Sequence, residues 1–345
     1  MRYYFRADGN AATGAGHLMR CLTIADELQN VPGTESADIC FLCADETSGA
    51  LAEAGGYRTL VLHTDYRDME AELPQLAELF SREAPARRPV LVVDSYHVTD
   101  SYLKALGSRA RIFLLDDMAQ QAYAADCVLN YNAFATQARY RQLYQGTRVR
   151  FYTGSAYVPL RPQFRGAGYS FREQVRDVLI TTGGGDQENI AARIFHRIQR
   201  PGLRYHAVIG RYHPDFEGWQ RRARECPQLC VHHDVKDMAS LMGSCDIAVT
   251  AGGTTVYELC AVGVPFLCFS YAENQESLTE YIGQEGIAGY CGAFHRDPAG
   301  TLSNMERLMD TLTGDARMRR RIREREQNLA DGLGAVRIAR LLSEL

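Results

Sequence analysis

The chain has 345 residues, 46% hydrophobic and 23% charged, which supports buried cores and excludes disordered, collagenous and low-complexity classes. That length predicts two domains rather than one. Lys and Arg total 38 against 42 Asp and Glu, a net charge of −4, so neither nucleic acid nor an acidic membrane is an expected partner and a small ligand fits better. From the first residue to about Arg150, short apolar runs alternate with helical stretches, the pattern of a parallel sheet covered on both faces. The runs are "YYFR", "ADICFLC", "YRTLVL", "PVLVVD", "RIFLLD" and "DCVLN". Between the first two, "HLMRCLTIADEL" places Leu18, Cys21, Leu22, Ala25 and Leu28 on one helical face. "GSAYVPLRPQFRGAGYSFREQ", from Gly154 to Gln174, has no period and reads as a linker. The pattern then restarts with "RDVLITTGGGD", "YHAVIG", "LCVHHD", "DIAVT", "PFLCFS" and "GYCG". Closing helices follow, among them the charged "ARMRRRIREREQNL", which reads as a solvated face. The expectation is an α/β protein of two doubly wound, Rossmann-like domains, 1–160 and 161–345, facing across a cleft.

The ten cysteines are scattered through strand-like and helix-like segments, as in a reduced cytoplasmic protein. Cys40 and Cys43 form a C-x-x-C inside a strand, and Cys226 and Cys230 precede His232 and His233, but neither group has the partners of a metal centre. The amino terminus lacks an apolar signal core, and no run approaches a membrane span, so a soluble cytoplasmic protein is expected.

Three strand-to-helix turns are rich in glycine: "ADGNAATGAGH", "TTGGGD" and "TAGGTTVYE". Such turns aim backbone amides at an anion, and the helix dipole favours negative charge there; they can also serve backbone geometry alone. The first is not a dinucleotide fingerprint, because Met19 stands where the third glycine belongs, and it is not a Walker loop. His17 begins a helix beside Gly14 and Gly16, where imidazolium is disfavoured, which makes it the candidate general base; the alternative is an ordinary polar helix start. Asp8, Asp94, Asp116 and Asp117 end strands and could orient His17, bind sugar hydroxyls or cap helices. Thr255 and Glu258 fit a capping box, or Glu258 grips ribose hydroxyls. Asn274 and Gln275 follow a strand, where amides read hydroxyls or phosphate, or cap a helix. No D-x-D or G-x-S-x-G is present, which argues against a metal-held diphosphate and a serine hydrolase.

Together "RADGNAATGAGHLMRCLTIADEL", "VVDSYH", "LLDD", "VLNYNAFA", "ITTGGGD" and "AGGTTVYELCAVGVPFLCFSYAENQ" resemble the UDP-2,4-diacetamido-2,4,6-trideoxy-β-L-altropyranose hydrolases of pseudaminic acid biosynthesis. The carboxyl-terminal half is also similar to the N-acetylglucosaminyltransferase of the lipid II pathway. The resemblance implies a glycosyltransferase-B fold and inverting, metal-free, cofactor-free hydrolysis of the bond between sugar C1 and phosphate oxygen. It makes His17 the catalytic histidine and puts Asp8, Gly14, Gly16, Arg20, Asp94, Tyr96 and Asn132 on the sugar side, with Asn274 and Gln275 near phosphates and sugar. It puts Gly183, Gly184, Gly185, Asp186, Val235, Gly253, Thr254, Thr255 and Glu258 on the UDP side. The rival readings are a glycosyltransferase of the same fold and a non-catalytic sugar-nucleotide-binding protein. A UDP-sugar is the expected partner and a monomer the working expectation.

Overall fold

A computed structural model describes residues 1–10, 14–34, 37–82, 88–183, 186, 188–210 and 213–345. The chain divides into two units, Met1–Arg161 with Leu333–Leu345, and Pro162–Gly332. The first contains β1 (Arg2–Ala7), α1 (Gly16–Gln29), β2 (Asp38–Cys43), α2 (Glu46–Ala54), β3 (Arg58–Val61), α3 (Leu73–Ser81), β4 (Val90–Asp94), α4 (Asp100–Gly107), β5 (Arg111–Leu115), β6 (Cys127–Asn130), α5 (Gln137–Leu143) and β7 (Arg150–Thr153). The second contains β8 (Asp177–Thr181), α6 (Ile190–Ile198), β9 (Arg204–Ile209), α7 (Phe216–Glu225), β10 (Leu229–His233), α8 (Met238–Ser244), β11 (Ile247–Ala251), α9 (Thr254–Val262), β12 (Phe266–Ser270), α10 (Glu276–Gln284), β13 (Gly289–Ala293), α11 (Pro298–Gly314) and α12 (Ala316–Gln327). The last helix, α13 (Gly334–Ser343), returns to the first unit.

Each unit is built on one parallel sheet, ordered β3-β2-β1-β4-β5-β6-β7 in the first and β10-β9-β8-β11-β12-β13 in the second. Strands such as "VLVVD" of β4 and "FLCFS" of β12 are buried along their whole length, as unbroken apolar runs covered on both faces must be. In the first sheet, β1 pairs with β2 on one side and β4 on the other; in the second, β8 pairs with β9 and β11. The chain therefore winds outward in opposite directions from β1/β4 and from β8/β11. At such reversals the loops at the carboxyl ends of neighbouring strands part and leave a crevice, where open parallel sheets hold their ligands. All three glycine-rich turns follow these strands: the first leaves β1, the second β8 and the third β11.

Two sequence expectations are corrected. The second domain does not run to residue 345: Ala335, Ile338, Ala339 and Leu342 are buried on one stripe of α13, which packs on α1. The stretch 154–174 is not a free linker, because Val158, Leu160, Phe164 and Tyr169 are buried in it. One strand, β7, was not expected; it is four residues long, partly exposed and at the sheet edge, so it lacks an apolar run. Among the described residues no helix is long and apolar enough to cross a membrane.

Candidate active site

The crevice beside β1 and β4 contains a buried ionic cluster. His17 is the second residue of α1, whose amino end has no side-chain cap. Its Nδ1 lies 2.7 Å from Oδ1 of Asp94, the last residue of β4. A carboxylate can only accept, so the hydrogen belongs on Nδ1 and the Nε2 lone pair is left as the basic position. Arg20, one turn further along α1, donates from Nε to Asp94 Oδ2 at 2.5 Å and from Nη2 to Asp94 Oδ1. Nη2 also donates to Asp117 at 2.8 Å and lies 3.0 Å from His17 Nδ1, while Nη1 donates to the Tyr131 hydroxyl. Burial alone would raise the Asp94 carboxyl, but the charges and hydrogen bonds of Arg20 and His17 outweigh it and hold that carboxyl well below the ordinary range. Burial pushes the Tyr131 hydroxyl well above its ordinary value, so it stays neutral.

Of the four strand-end acids, Asp94 is thus the one that orients His17. The exposed Tyr96 ring packs edge-on against the imidazole, with centroids 4.6 Å apart. The Asn132 amide approaches Asp117 Oδ1 at 3.4 Å and belongs to the same cluster. Asp8 does not: it is buried, accepting from Arg6 and from the Ala44 amide at 2.7 Å, within an ionic group that also holds Glu72. Asp116 accepts from the Met118 and Ala119 amides and from Tyr140, which makes it a loop-holding residue. Gly14 has φ +72°, a left-handed backbone that favours glycine; a Cβ at Gly16 would meet nothing.

His17, Asp94 and Asp117 are the one group of His, Cys, Asp or Glu side chains among the described residues that could ligate a metal. They fit one poorly, because the Arg20 guanidinium already meets both carboxylates and a divalent cation would lie beside its positive charge. The cysteines are free, and burial pushes the Cys43 thiol up to about 12.

In the second unit, the turns after β8 and β11 differ. Asp186 accepts the Ile190 and Ala191 amides at 2.6 and 2.8 Å, closing the amino end of α6 with a carboxylate. Helix α9 begins without a side-chain cap: its N-cap is Gly253, in an extended conformation, and a Cβ there would meet nothing. The capping box is not formed, since Thr255 is the second helical residue rather than the cap. Gly252 is a packing glycine, as a Cβ would lie 2.4 Å from Thr279. Gly183 has φ +92°, and a cavity of about 240 Å³ lies near it, lined by Thr182, Asp186, Glu188, Tyr271, Phe294 and His295. Gly184 and Gly185 lie outside the described residues. Asn274 is exposed, whereas Gln275 Oε1 accepts the Tyr271 amide at 3.1 Å. Val235 is half-buried in the loop after β10.

No protein-family model matches the chain. The spore coat polysaccharide biosynthesis protein SpsG of Bacillus subtilis is 26% identical over 98% of this chain and 97% of its own length. UDP-2,4-diacetamido-2,4,6-trideoxy-β-L-altropyranose hydrolase of Campylobacter jejuni is 23% identical over 83% of this chain and 97% of its own. The chain is a relative of these hydrolases and of SpsG. The Acinetobacter baumannii MurG structure superposes with a TM-score of 0.71 at 12% identity, covering 100% of this chain and 99% of its own. The calicheamicin glycosyltransferase CalG4 gives 0.65 at 14%, covering 99% and 97%. The fold is glycosyltransferase-B. Of the residues that the hydrolase resemblance put on the sugar side, the structure brings Arg20, Asp94, Tyr96 and Asn132 around His17 and leaves Asp8 outside. Tyr131 was not singled out by sequence, although its position directly after β6, at a strand's carboxyl end, was a signal. Tyr271 and His295 were also missed; both follow the strand ends of β12 and β13 closely.

Proposed function

We propose that the protein hydrolyses UDP-2,4-diacetamido-2,4,6-trideoxy-β-L-altropyranose at its anomeric C–O bond, releasing UDP and the free sugar for pseudaminic acid biosynthesis. The observation that carries this reading is the oriented imidazole: Nδ1 is fixed on Asp94, which leaves Nε2 to act on water. Water oxygen bonds to C1 as Nε2 takes its proton, and the C1–O bond breaks with its electron pair leaving on UDP. Configuration at C1 inverts. The first unit supplies the base and the sugar contacts.

The second unit supplies the nucleotide side. The uncapped amino end of α9 suits the diphosphate, whose charge grows as it departs. Glu258, one turn into that helix, receives the ribose hydroxyls. Gly183 to Gly185 and Val235 complete the nucleotide side, and Asn274 contributes beside the phosphates. The reaction needs no divalent metal, because a guanidinium already neutralises the acids beside His17 and helix amides face the leaving group.

Incubation with the UDP-sugar in heavy-oxygen water, followed by mass spectrometry and anomeric-proton NMR, tests the reading. The label is expected on sugar C1, not on UDP, with inverted configuration and no loss of rate in EDTA. The fold neighbours are glycosyltransferases, which favours transfer to a hydroxyl as the second reading; UDP release only on addition of an acceptor would establish that one.

A further inference from the structure

The arginines of α12 do not form one solvated face. Arg319 is buried and donates to the carbonyls of Leu312 and Glu173. Arg320 pairs with Glu173, and Arg323 lies 5.5 Å over the Tyr169 ring. Arg317, Arg321 and Arg325 remain, four residues apart and exposed on a single stripe, with successive Cα atoms separated by about 6 Å along the axis. These three, with Arg307 of α11, border a groove of about 1040 Å³ between α10, α11 and α12. Its floor is apolar, with Leu308 and Met318 partly exposed and Leu267 and Ile322 buried beside them.

Arg325 donates to the Glu285 and Gly286 carbonyls, and among the described residues Arg307, Arg317 and Arg321 form no ion pair. Two acids also border the groove, Glu280 and Asp315, and Asp315 is engaged in capping α12. Like charges four apart destabilise a helix, so the stripe is costly without a counter-charge. The chain as a whole is acidic, which makes this local excess of positive charge stand out. The groove also reaches the amino-terminal ends of β12 and β13, through Leu267, Gly289 and Tyr290, at the end of the sheet opposite the glycine turns.

We infer that this groove is a docking site for an amphipathic acidic helix of a partner protein, with carboxylates spaced four apart meeting the arginine stripe and apolar side chains on the floor. The geometry selects this occupant. A row of guanidinium groups about 12 Å long matches the repeat of a helix, whereas one small phosphate calls for donors that converge. A flat bilayer would not reach a recessed floor. Guanidinium forks recognise carboxylates in pairs, and the apolar floor supplies the burial that charge alone does not.

The test is fluorescence anisotropy of a labelled synthetic helix with Glu at every fourth position and Leu beside each, titrated with the full chain. Saturable binding with a Kd of about 10 µM or tighter is expected. It should weaken about tenfold or more in Arg317→Glu/Arg321→Glu and in high salt. That variant should melt no lower than the parent protein, since it removes the like-charge repulsion along α12. Arg321→Gln should give a smaller loss, and neither should change turnover. No saturation by about 100 µM, or equal binding of the same peptide with Lys for Glu, overturns the inference. So does displacement of the peptide by equimolar UDP or inorganic pyrophosphate, or arginine-dependent flotation with phosphatidylglycerol vesicles while the peptide fails to bind.

Discussion

A neutral imidazole serves as a base at one nitrogen only if the hydrogen on the other is held; in the proposed reaction Asp94, itself clamped by Arg20, does this for His17. His17→Asn should therefore lower kcat by about 10²- to 10⁴-fold with UDP affinity unchanged. Asp94→Asn leaves an amide that can offer a donor to Nδ1 and favour the wrong tautomer, so it should also depress kcat more than it changes KM. Steady-state kinetics beside UDP calorimetry check both, and near-normal kcat in His17→Asn would remove the base. A different residue carries a pH effect on stability. Glu326 of α12 is fully buried, and its oxygens have no hydrogen-bond partner of good geometry. Burial pushes its carboxyl well above the ordinary 4.5, with Arg323 and the Phe266 amide offsetting this only in part. The folded state thus binds this proton more tightly than the unfolded chain. The stabilisation is complete below about pH 4.5 and is lost as pH rises through the folded value. Glu326→Gln mimics the protonated acid, so it should raise the melting midpoint by about 2–8 °C at pH 8 and leave it nearly unchanged at pH 4. Parallel melting curves for the two proteins across pH would contradict this.

At the scale of elements, the helices after β8 and β11 begin alike in sequence and differ in chemistry. A carboxylate already occupies the start of α6, so of these two only α9 offers uncapped amides to an anion. Glu258 is half-buried on α9, one turn beyond the glycine that begins the helix. Glu258→Gln should weaken UDP binding by roughly 1–2 kcal/mol without moving the melting temperature. Calorimetric titration beside thermal melts decides this, and equal affinities would return Glu258 to a structural role. The elements themselves were largely legible: each apolar run named from the sequence is a strand, because buried parallel strands must be apolar on both faces. The site was legible only in part. His17 and Gly253 stand out because helix starts and glycine turns are local signals, whereas the choice among the four strand-end acids for the partner of His17 stays open in the sequence. Whether Asp186 meets a phosphate or a helix, and whether Asp8 faces substrate or Arg6, depends on neighbours distant in sequence, which spacing does not encode. The capping box failed for a subtler reason: the helix starts two residues earlier than it would with Thr255 as its cap, and Gly253 holds the cap position.

For the molecule as a whole, acid is the condition to which both units respond. Asp177 opens β8 and receives hydrogen bonds from Arg204 at 2.6 Å, from Arg172 at 2.9 Å and from the His206 ring at 3.0 Å. Burial opposes its ionisation, but these donors, Arg204 foremost, outweigh burial and hold the carboxyl down at about 2. Asp94 is held low in the first unit in the same way. A depressed carboxyl stabilises the fold above its unfolded value and ceases to as pH falls through its folded value. The contribution of Asp177 is roughly 2 kcal/mol above about pH 4 and disappears near pH 2. Denaturant melts of the parent and Asp177→Asn should separate at pH 6 and converge near pH 2; a gap that persists undiminished at pH 2 would assign the loss to something other than ionisation.

The return of α13 to the first unit also sets an order of events on the ribosome. Roughly 170 residues of the second unit are made between Arg161 and Leu333, which takes about 10–35 s at ordinary elongation rates. Through that interval the nascent first unit has its sheet but not its last helix, and the apolar side of α1 awaits Ala335, Ile338 and Leu342. The second unit is complete before the first can close. The helix that carries His17 is therefore finished as a packed element only when α13 emerges, so a chain terminated before Gly334 carries His17 on a helix without its covering layer.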